Sequence, residues 1–336
     1  MRSKLKNEDN PLLEIKDLRT YFYLDEGILK AVDGVSFKID RGKTLGIVGE
    51  SGCGKSVTAQ SILRIVPSPG KTEGEILFHQ ENEKNVDLAK LDPFGKEIRN
   101  IRGNQITMIF QEPMTSLSPL HTIGNQIMEA ILLHRKLNKT EARGLAKEML
   151  DKVGIPDPSH RINDYPHQLS GGLRQRAMIA MALSCNPSLL IADEPTTALD
   201  VTVQAQILEL MKDLQEEFGM SIIYITHNLG VVAEISDEVA VMYLGKVVEY
   251  GSVEDIFHNP KHPYTSKLLK SIPRVGRKVR ARLDSIKGTV PLPLGLPRGC
   301  TFYPRCPQAK EGICNIDAPP LIELENGHKV ECFLYR

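Results

Sequence analysis

The sequence has no excess of either charge: 42 Lys and Arg face 42 Asp and Glu in a chain of 336 residues. Without a basic surplus, nothing argues for a nucleic-acid surface or for attraction to an anionic membrane. No run of about 18 apolar residues occurs, so the chain is not expected to cross a bilayer. Met1–Asn10 carries basic residues with no apolar segment behind them. No secretory signal is therefore expected, and the protein is expected to stay in the cytoplasm. Internal repeats and heptads are also missing. Cysteine is scarce until the end: Cys53 and Cys185 stand alone, then Cys300, Cys306, Cys314 and Cys332 crowd the last part of the chain. In a reducing compartment such a quartet is more often a metal site than a pair of disulfides.

What is present fits a globular protein with an appendage. The apolar fraction is 41%, and 336 residues exceed one average domain. Apolar runs and turns alternate over residues 12–48, which predicts antiparallel strands feeding a parallel core. The polar stretch around Gln80–Asn85 reads as a surface hairpin insertion. Ile127, Ala130, Ile131, Ala146, Met149 and Leu150 recur at helical spacing and predict a helical subdomain over about 112–170. Predicted helices over Leu173–Leu183 and Val203–Phe218 then alternate with the apolar strands Leu189–Ala192 and Ser221–Ile225. That rhythm predicts a parallel sheet covered on both faces. Beyond about Asn259, prolines at 260, 263, 273, 291, 293 and 297 predict an irregular tail.

The most specific signal is Gly49-Glu50-Ser51-Gly52-Cys53-Gly54-Lys55-Ser56, a G-x-x-x-x-G-K-S phosphate loop. It follows the apolar run Thr44–Val48 and opens a helix-like run to Ile65, the context in which backbone N–H groups point at a polyphosphate. Gly49, Gly52 and Gly54 let the backbone approach phosphate, Lys55 is expected between the β- and γ-phosphates, and the Ser56 hydroxyl on Mg²⁺. Cys53 reads as an inert small residue and Cys185 as core. Asp193 and Glu194 close a buried strand. Asp193 suits a Mg²⁺ shell, and Glu194 suits orienting or deprotonating a water. His227, at the end of the next strand, and Gln111, in a loop, are polar residues of no special meaning alone.

With the loop Leu169-Ser170-Gly171-Gly172 and with Ala198-Leu199-Asp200, these motifs fall in one order along residues 12–255. In that order the chain resembles the ATP-binding subunits of ABC transporters. The resemblance implies an α/β ATPase with a parallel core sheet, an antiparallel β subdomain and a helical subdomain. It implies two subunits sandwiching ATP, with Ser170 and Gly172 of one facing the phosphate loop of the other. By the same resemblance Gln111 touches Mg²⁺ and the attacking water, His227 contacts the γ-phosphate, and Asp200 lies at the dimer seam. Ser51, Cys53 and Val57 join the nucleotide contacts. Phe22 is expected to stack on adenine, with Tyr21 and Tyr23 as rivals. The family loop most often continues to Gln, whereas here Leu173 follows; the backbone contacts survive that change and a side-chain contact does not.

Residues 258–273 and Thr196–Gln204 resemble the branch that imports dipeptides, oligopeptides and, in some members, nickel. This implies a cassette over 1–258 and an extension over 259–336. The implied partners are a second related ATP-binding subunit, two membrane permease subunits and an extracytoplasmic peptide-binding protein, at the cytoplasmic face of the membrane. A nickel or other small-solute importer and a soluble non-transport ATPase are the alternatives. The spacing of the four tail cysteines lacks the paired C-x2-C knuckles of common zinc sites. The branch implies a [4Fe-4S] cluster on Cys300, Cys306, Cys314 and Cys332, with Zn²⁺ or free thiols as the other readings.

Overall fold

The computed structural model describes residues 11–80, 85–111, 116–197, 199–271, 286, 288–296 and 298–336. Met1–Asn10, the tip of the insertion at 81–84, the first residues of the expected helical subdomain, Ala198, Pro273 and Pro297 lie outside these. Two compact units divide the chain, and each draws on several segments.

One unit comprises Leu13–Lys38, Thr44–Lys90 and Ile225–Arg336. Its first strands are β1 (Pro11–Leu24), β2 (Gly27–Asp40), β3 (Thr44–Val48), β4 (Gly70–Phe78) and β5 (Val86–Asp87). β2, β1, β4 and β5 lie side by side in that order, with β1–β4 and β4–β5 antiparallel. Leu13 and Ile15 alternate inward along β1, the period-two pattern of a half-covered sheet. The predicted antiparallel subdomain and the hairpin insertion are therefore present.

The other unit contains Leu91–Tyr224 and holds β6 (Ile106–Ile109), β7 (Leu189–Asp193) and most of β8 (Ser221–Thr226), in the order β8-β7-β6. β6 and β7 pair in parallel, and every residue of β7 and β8 is buried. Such near-continuous apolar strands are those covered on both faces. The helical segment contains Ile123–His134, Lys139–Lys152 and Pro158–Arg161. Lys139–Lys152 starts with a capping box, in which the Asn138 side chain accepts from Glu141 N–H and the Glu141 carboxylate from Asn138 N–H. Helices Gly171–Leu183 and Val201–Phe218 each begin two residues before the predicted start. Their caps explain the difference. The Ser170 hydroxyl accepts from Leu173 N–H, and the Asp200 carboxylate accepts from Thr202 and Val203 N–H.

The first unit also holds β9 (Glu238–Tyr243), β10 (Lys246–Ser252), β11 (Leu321–Glu323) and β12 (Lys329–Glu331). Their order is β11-β12-β10-β9-β3, with β3–β9 parallel and β9–β10, β10–β12 and β11–β12 antiparallel. The predicted parallel core thus carries an antiparallel edge, and the tail supplies two of its strands.

The expectation of a wholly irregular tail is corrected here. Pro263, read as a breaker, opens the helix Pro263–Lys270, because a proline at the first helical position removes an N–H that needs no partner. β11 and β12 are too short to betray themselves by alternation. Nor does the tail lack a core. Tyr264 and Phe302 are buried against Tyr243, with ring centroids 4.8 and 5.2 Å from it, and each such ring contributes about 2–3 kcal/mol on burial. Polar groups lock the same region. Glu249, fully buried on β10, accepts from His328 Nε2 at 2.8 Å and from the backbone N–H groups of Lys261 and His262.

His262 caps the helix Pro263–Lys270, its Nδ1 accepting from Tyr264 N–H at 3.1 Å. Burial pushes its pKa down to about 4. As pH falls below about 6.5, the unfolded chain protonates this residue and the fold does not, so stability present above that pH is lost on acidification. His262→Asn keeps a capping oxygen and cannot titrate. In urea unfolding, the drop in stability between about pH 7 and about pH 5 should be smaller in this variant than in the wild type, by about 2 kcal/mol.

Candidate functional site

The phosphate loop runs from the end of β3 into the helix Lys55–Ile62. Its glycines are dictated by space. A Cβ on Gly49 would lie 2.3 Å from the carbonyl oxygen of Met242, and one on Gly54 2.1 Å from that of Ala31. Both residues also have positive φ, which L side chains rarely adopt. The Lys55 side chain is buried, and its ammonium donates to the carbonyls of Gly49 at 2.8 Å and Glu50 at 3.2 Å. It is thereby curled over the loop it belongs to. Ser56 and Val57, half-buried, follow Lys55 in the first turn of the helix, while Ser51 and Gly52 are exposed at the loop tip. Cys53 is buried, and burial pushes its thiol pKa up, which fits the reading of an inert residue.

The three aromatics of β1 separate by face. The Thr20 hydroxyl lies 2.7 Å from that of Ser61, on the phosphate-loop helix, and Phe22 shares that face of the strand two residues on. Phe22 is half-buried opposite Gly70, where a Cβ would come within 2.9 Å of its ring. Tyr21 and Tyr23 alternate to the other face. Tyr21 donates to Asp33 with Lys30 over its ring, and Lys71 lies over the ring of Tyr23.

In the other unit, Asp193 is the last residue of β7 and is buried. Glu194 does not simply continue the strand on its opposite face. Its φ of 46° is left-handed, so the chain turns sharply just after Asp193. Such strain is held only where surroundings over-determine it. The Glu194 carboxylate accepts from Gln111 Nε2 at 3.1 Å and from the Thr197 hydroxyl at 2.9 Å, and is nearly buried at 8% exposure. Gln111 and Glu194, 83 residues apart, are thus brought together. Thr197 is a partner that single-residue reading missed. Tyr224, whose hydroxyl lies 3.5 Å from that of Thr196, has its pKa pushed up to about 12 by burial, so it is a neutral neighbour of this carboxylate.

Ser170, Gly172 and Asp200 sit at helix starts, with Ser170 and Asp200 exposed; Leu173, next to them, is half-buried and uses its N–H in the Ser170 cap. His227 follows β8 and is exposed. Cys185 is buried, as expected of a core residue, with its Sγ 3.6 Å from the Ala130 carbonyl.

Cys300, Cys306, Cys314 and Cys332 are all free thiols and line one small cavity beside Phe302. Gly299 permits the close approach of the Cys314 segment, since a Cβ there would lie 2.4 Å from the Cys314 carbonyl oxygen. Burial, with the neighbouring thiols adding to it, pushes the Cys300 pKa up to about 11. Among the described residues, no group of three or more His, Cys, Asp or Glu is drawn together as a metal site. The expected metal centre is therefore not assembled, although the donor set is right in kind for a soft metal.

The extension also reaches the phosphate loop. Arg305 grips the Glu50 carboxylate with both arms, at 2.8 and 3.0 Å, and Glu50 N–H donates to the Tyr264 hydroxyl at 3.0 Å. Nothing in the sequence signals a pairing across 255 positions.

Comparison with known proteins gives these arrangements a family. Residues 32–197 match the ABC transporter model, and 248–314 match the model of the oligopeptide/dipeptide transporter C-terminal region. The chain is 52% identical to the oligopeptide transport ATP-binding protein AppD of Bacillus subtilis, over 96% of this chain and 97% of that one. It is 51% identical to the dipeptide transport ATP-binding protein DppD of the same organism, over 96% and 94%. A probable peptide ABC transporter ATP-binding protein, y4tR of Sinorhizobium fredii, is 51% identical over 99% and 98%. Among solved structures, the dimeric bacterial ABC transporter cassette MJ0796 covers 72% of this chain and 98% of its own, at 29% identity and a TM-score of 0.62. The same cassette in a dimeric post-hydrolysis state, bound to ADP and Pi, superposes equally well. With its phosphate loop, its Gln111–Glu194 pair and its C-terminal region all accounted for, the chain belongs to the ABC transporter ATP-binding subunits of the oligopeptide/dipeptide importer type.

Proposed function

We propose that this chain is the ATP-hydrolysing subunit that powers import of dipeptides or oligopeptides through membrane partners. The observation that carries the reading is roughly half identity to peptide-import ATP-binding proteins along almost the whole length, C-terminal region included. No helix of the described residues is long and apolar enough to cross a membrane, so translocation falls to other chains. Those partners are two permease subunits, a second related ATP-binding subunit and an extracytoplasmic binding protein, with this chain peripheral at the cytoplasmic face. The cassette spans 1–258 and the extension 259–336.

ATP is cradled by the loop from Gly49 to Ser56, with Ser51, Gly52, Cys53, Gly54 and Val57 in contact and Phe22 under the adenine. The tight glycine cradle and the buried Lys55 ammonium support a polyanion there. Ser56, Asp193 and Gln111 are the donors for Mg²⁺, which when bound neutralises the phosphate charge. Glu194, held by Gln111 and Thr197, orients the attacking water, and His227 meets the γ-phosphate. Ser170 and Gly172 serve the nucleotide of the second subunit, with Asp200 at the seam.

In the extension, Cys300, Cys306, Cys314 and Cys332 hold a [4Fe-4S] cluster, which when bound would fasten four chain segments around one point. Four thiols on one cavity support this donor set, and Zn²⁺ is the competing occupant.

Two measurements test the reading. Glu194→Gln should lower steady-state hydrolysis by about 100-fold or more while equilibrium ATP binding persists. Unchanged hydrolysis in the assembled transporter removes Glu194 from the chemistry. Anaerobically purified full-length protein should show the broad visible absorption of an iron–sulfur cluster and about four iron atoms per chain. Both should be lost in Cys306→Ser. Stoichiometric zinc without colour replaces the cluster with zinc.

A further inference from the structure

One residue of the phosphate loop is gripped by the C-terminal extension as well as by the loop itself. Glu50 follows Gly49. Its N–H donates to the Tyr264 hydroxyl at 3.0 Å, its carbonyl accepts from Lys55 Nζ at 3.2 Å, and its carboxylate takes both arms of Arg305. Tyr264 and Arg305 both belong to the extension. The Arg305 side chain is 6% exposed and that of Glu50 25%. The guanidinium also donates to the Tyr243 hydroxyl at 3.3 Å and to the Gly288 carbonyl at 3.2 Å, and lies 5.7 Å from the Tyr243 ring centroid. Such a planar, two-armed grip on a carboxylate, seated on an aromatic ring, is a fit that lysine cannot reproduce.

The charge at Glu50 is in an odd place. A loop that binds a polyphosphate carries a carboxylate as its second residue, and like charges at short range in a half-buried setting repel strongly. A buried charge stripped of its partner is costlier than the pair. Arg305 removes that repulsion, and Tyr264 fixes the backbone at the same residue.

We propose that Arg305 is a positioning residue for ATP: by neutralising Glu50 it sets the loop's affinity for nucleotide, so the C-terminal extension forms part of the nucleotide site. The inference rests on the ATPase reading above and adds a residue that the nucleotide-binding motifs do not contain.

The test is equilibrium binding of Mg-ATP to the purified full-length chain, compared among wild type, Arg305→Ala and Arg305→Ala/Glu50→Gln. The single variant should bind about tenfold more weakly, and removing the stranded charge in the double variant should bring affinity back to within about threefold of wild type. Steady-state hydrolysis should echo this as a rise in KM larger than the fall in kcat. The proposal is overturned if Arg305→Ala binds within about twofold of wild type, or if the double variant stays as weak as the single one, which would make the arginine merely an anchor for the extension. Arg305→Lys serves if the alanine chain does not fold; its expected loss of about threefold should likewise vanish with Glu50→Gln. Wild-type binding itself reports on the ATPase reading, whereas the ratios between variants report on the arginine.

Discussion

The phosphate loop passes so close to its neighbours that Cβ atoms at Gly49 and Gly54 would sit 2.3 and 2.1 Å from carbonyl oxygens of Met242 and Ala31. That lack of space organises its unit. Met242 lies on β9 and Ala31 on β2, so the loop is wedged between a strand of one sheet and a strand of the other. The turn after β9 adds to the wedge: Gly245 N–H donates to the Cys53 carbonyl, and Asp33 N–H donates to that of Gly245. A loop pinned this way keeps its N–H groups aimed without paying ordering entropy when a polyanion arrives. The rigidity comes from the sheets, and the glycines are what let the sheets come close enough to supply it.

Charge is handled differently in the two units. Around the phosphate loop the acids are matched one by one: Glu50 by Arg305, and Glu249 by His328 and two backbone N–H groups. Glu194 accepts from the Gln111 amide and the Thr197 hydroxyl.

How much of this could be read from the sequence depends on the range of the interactions. The phosphate loop, β7 with Asp193 and the strand before His227 announce themselves, because local pattern and local structure coincide there. Helix starts were read two residues late at Ser170 and Asp200, since apolar periodicity begins after the cap rather than at it. Glu194 was placed by strand alternation, and its left-handed turn left no mark in residue type. The tail was the least legible part. Its order comes from Tyr264, Phe302 and Val330 burying themselves against earlier strands, and Pro263, which looks like a breaker, instead starts a helix. The four cysteines line one cavity without being drawn together as a metal site among the described residues, and their spacing in the sequence does not speak of the distances that a metal imposes.

Two of the connections between the extension and the rest of its unit differ in kind. Glu249, His262 and His328 weld the extension to β10 through a fully buried polar knot, a permanent seam. Arg305 and Tyr264 instead meet the phosphate loop at one residue, next to the place where a ligand comes and goes. Arg305 is the immediate chain neighbour of Cys306, and Phe302, which lines the cysteine cavity, packs edge-on against the Tyr243 ring. Arg305, which grips Glu50, thus lies within six residues of Cys300. An appendage needed only for stability would require the first seam alone. The second makes sense if the extension and the nucleotide loop have to be right together.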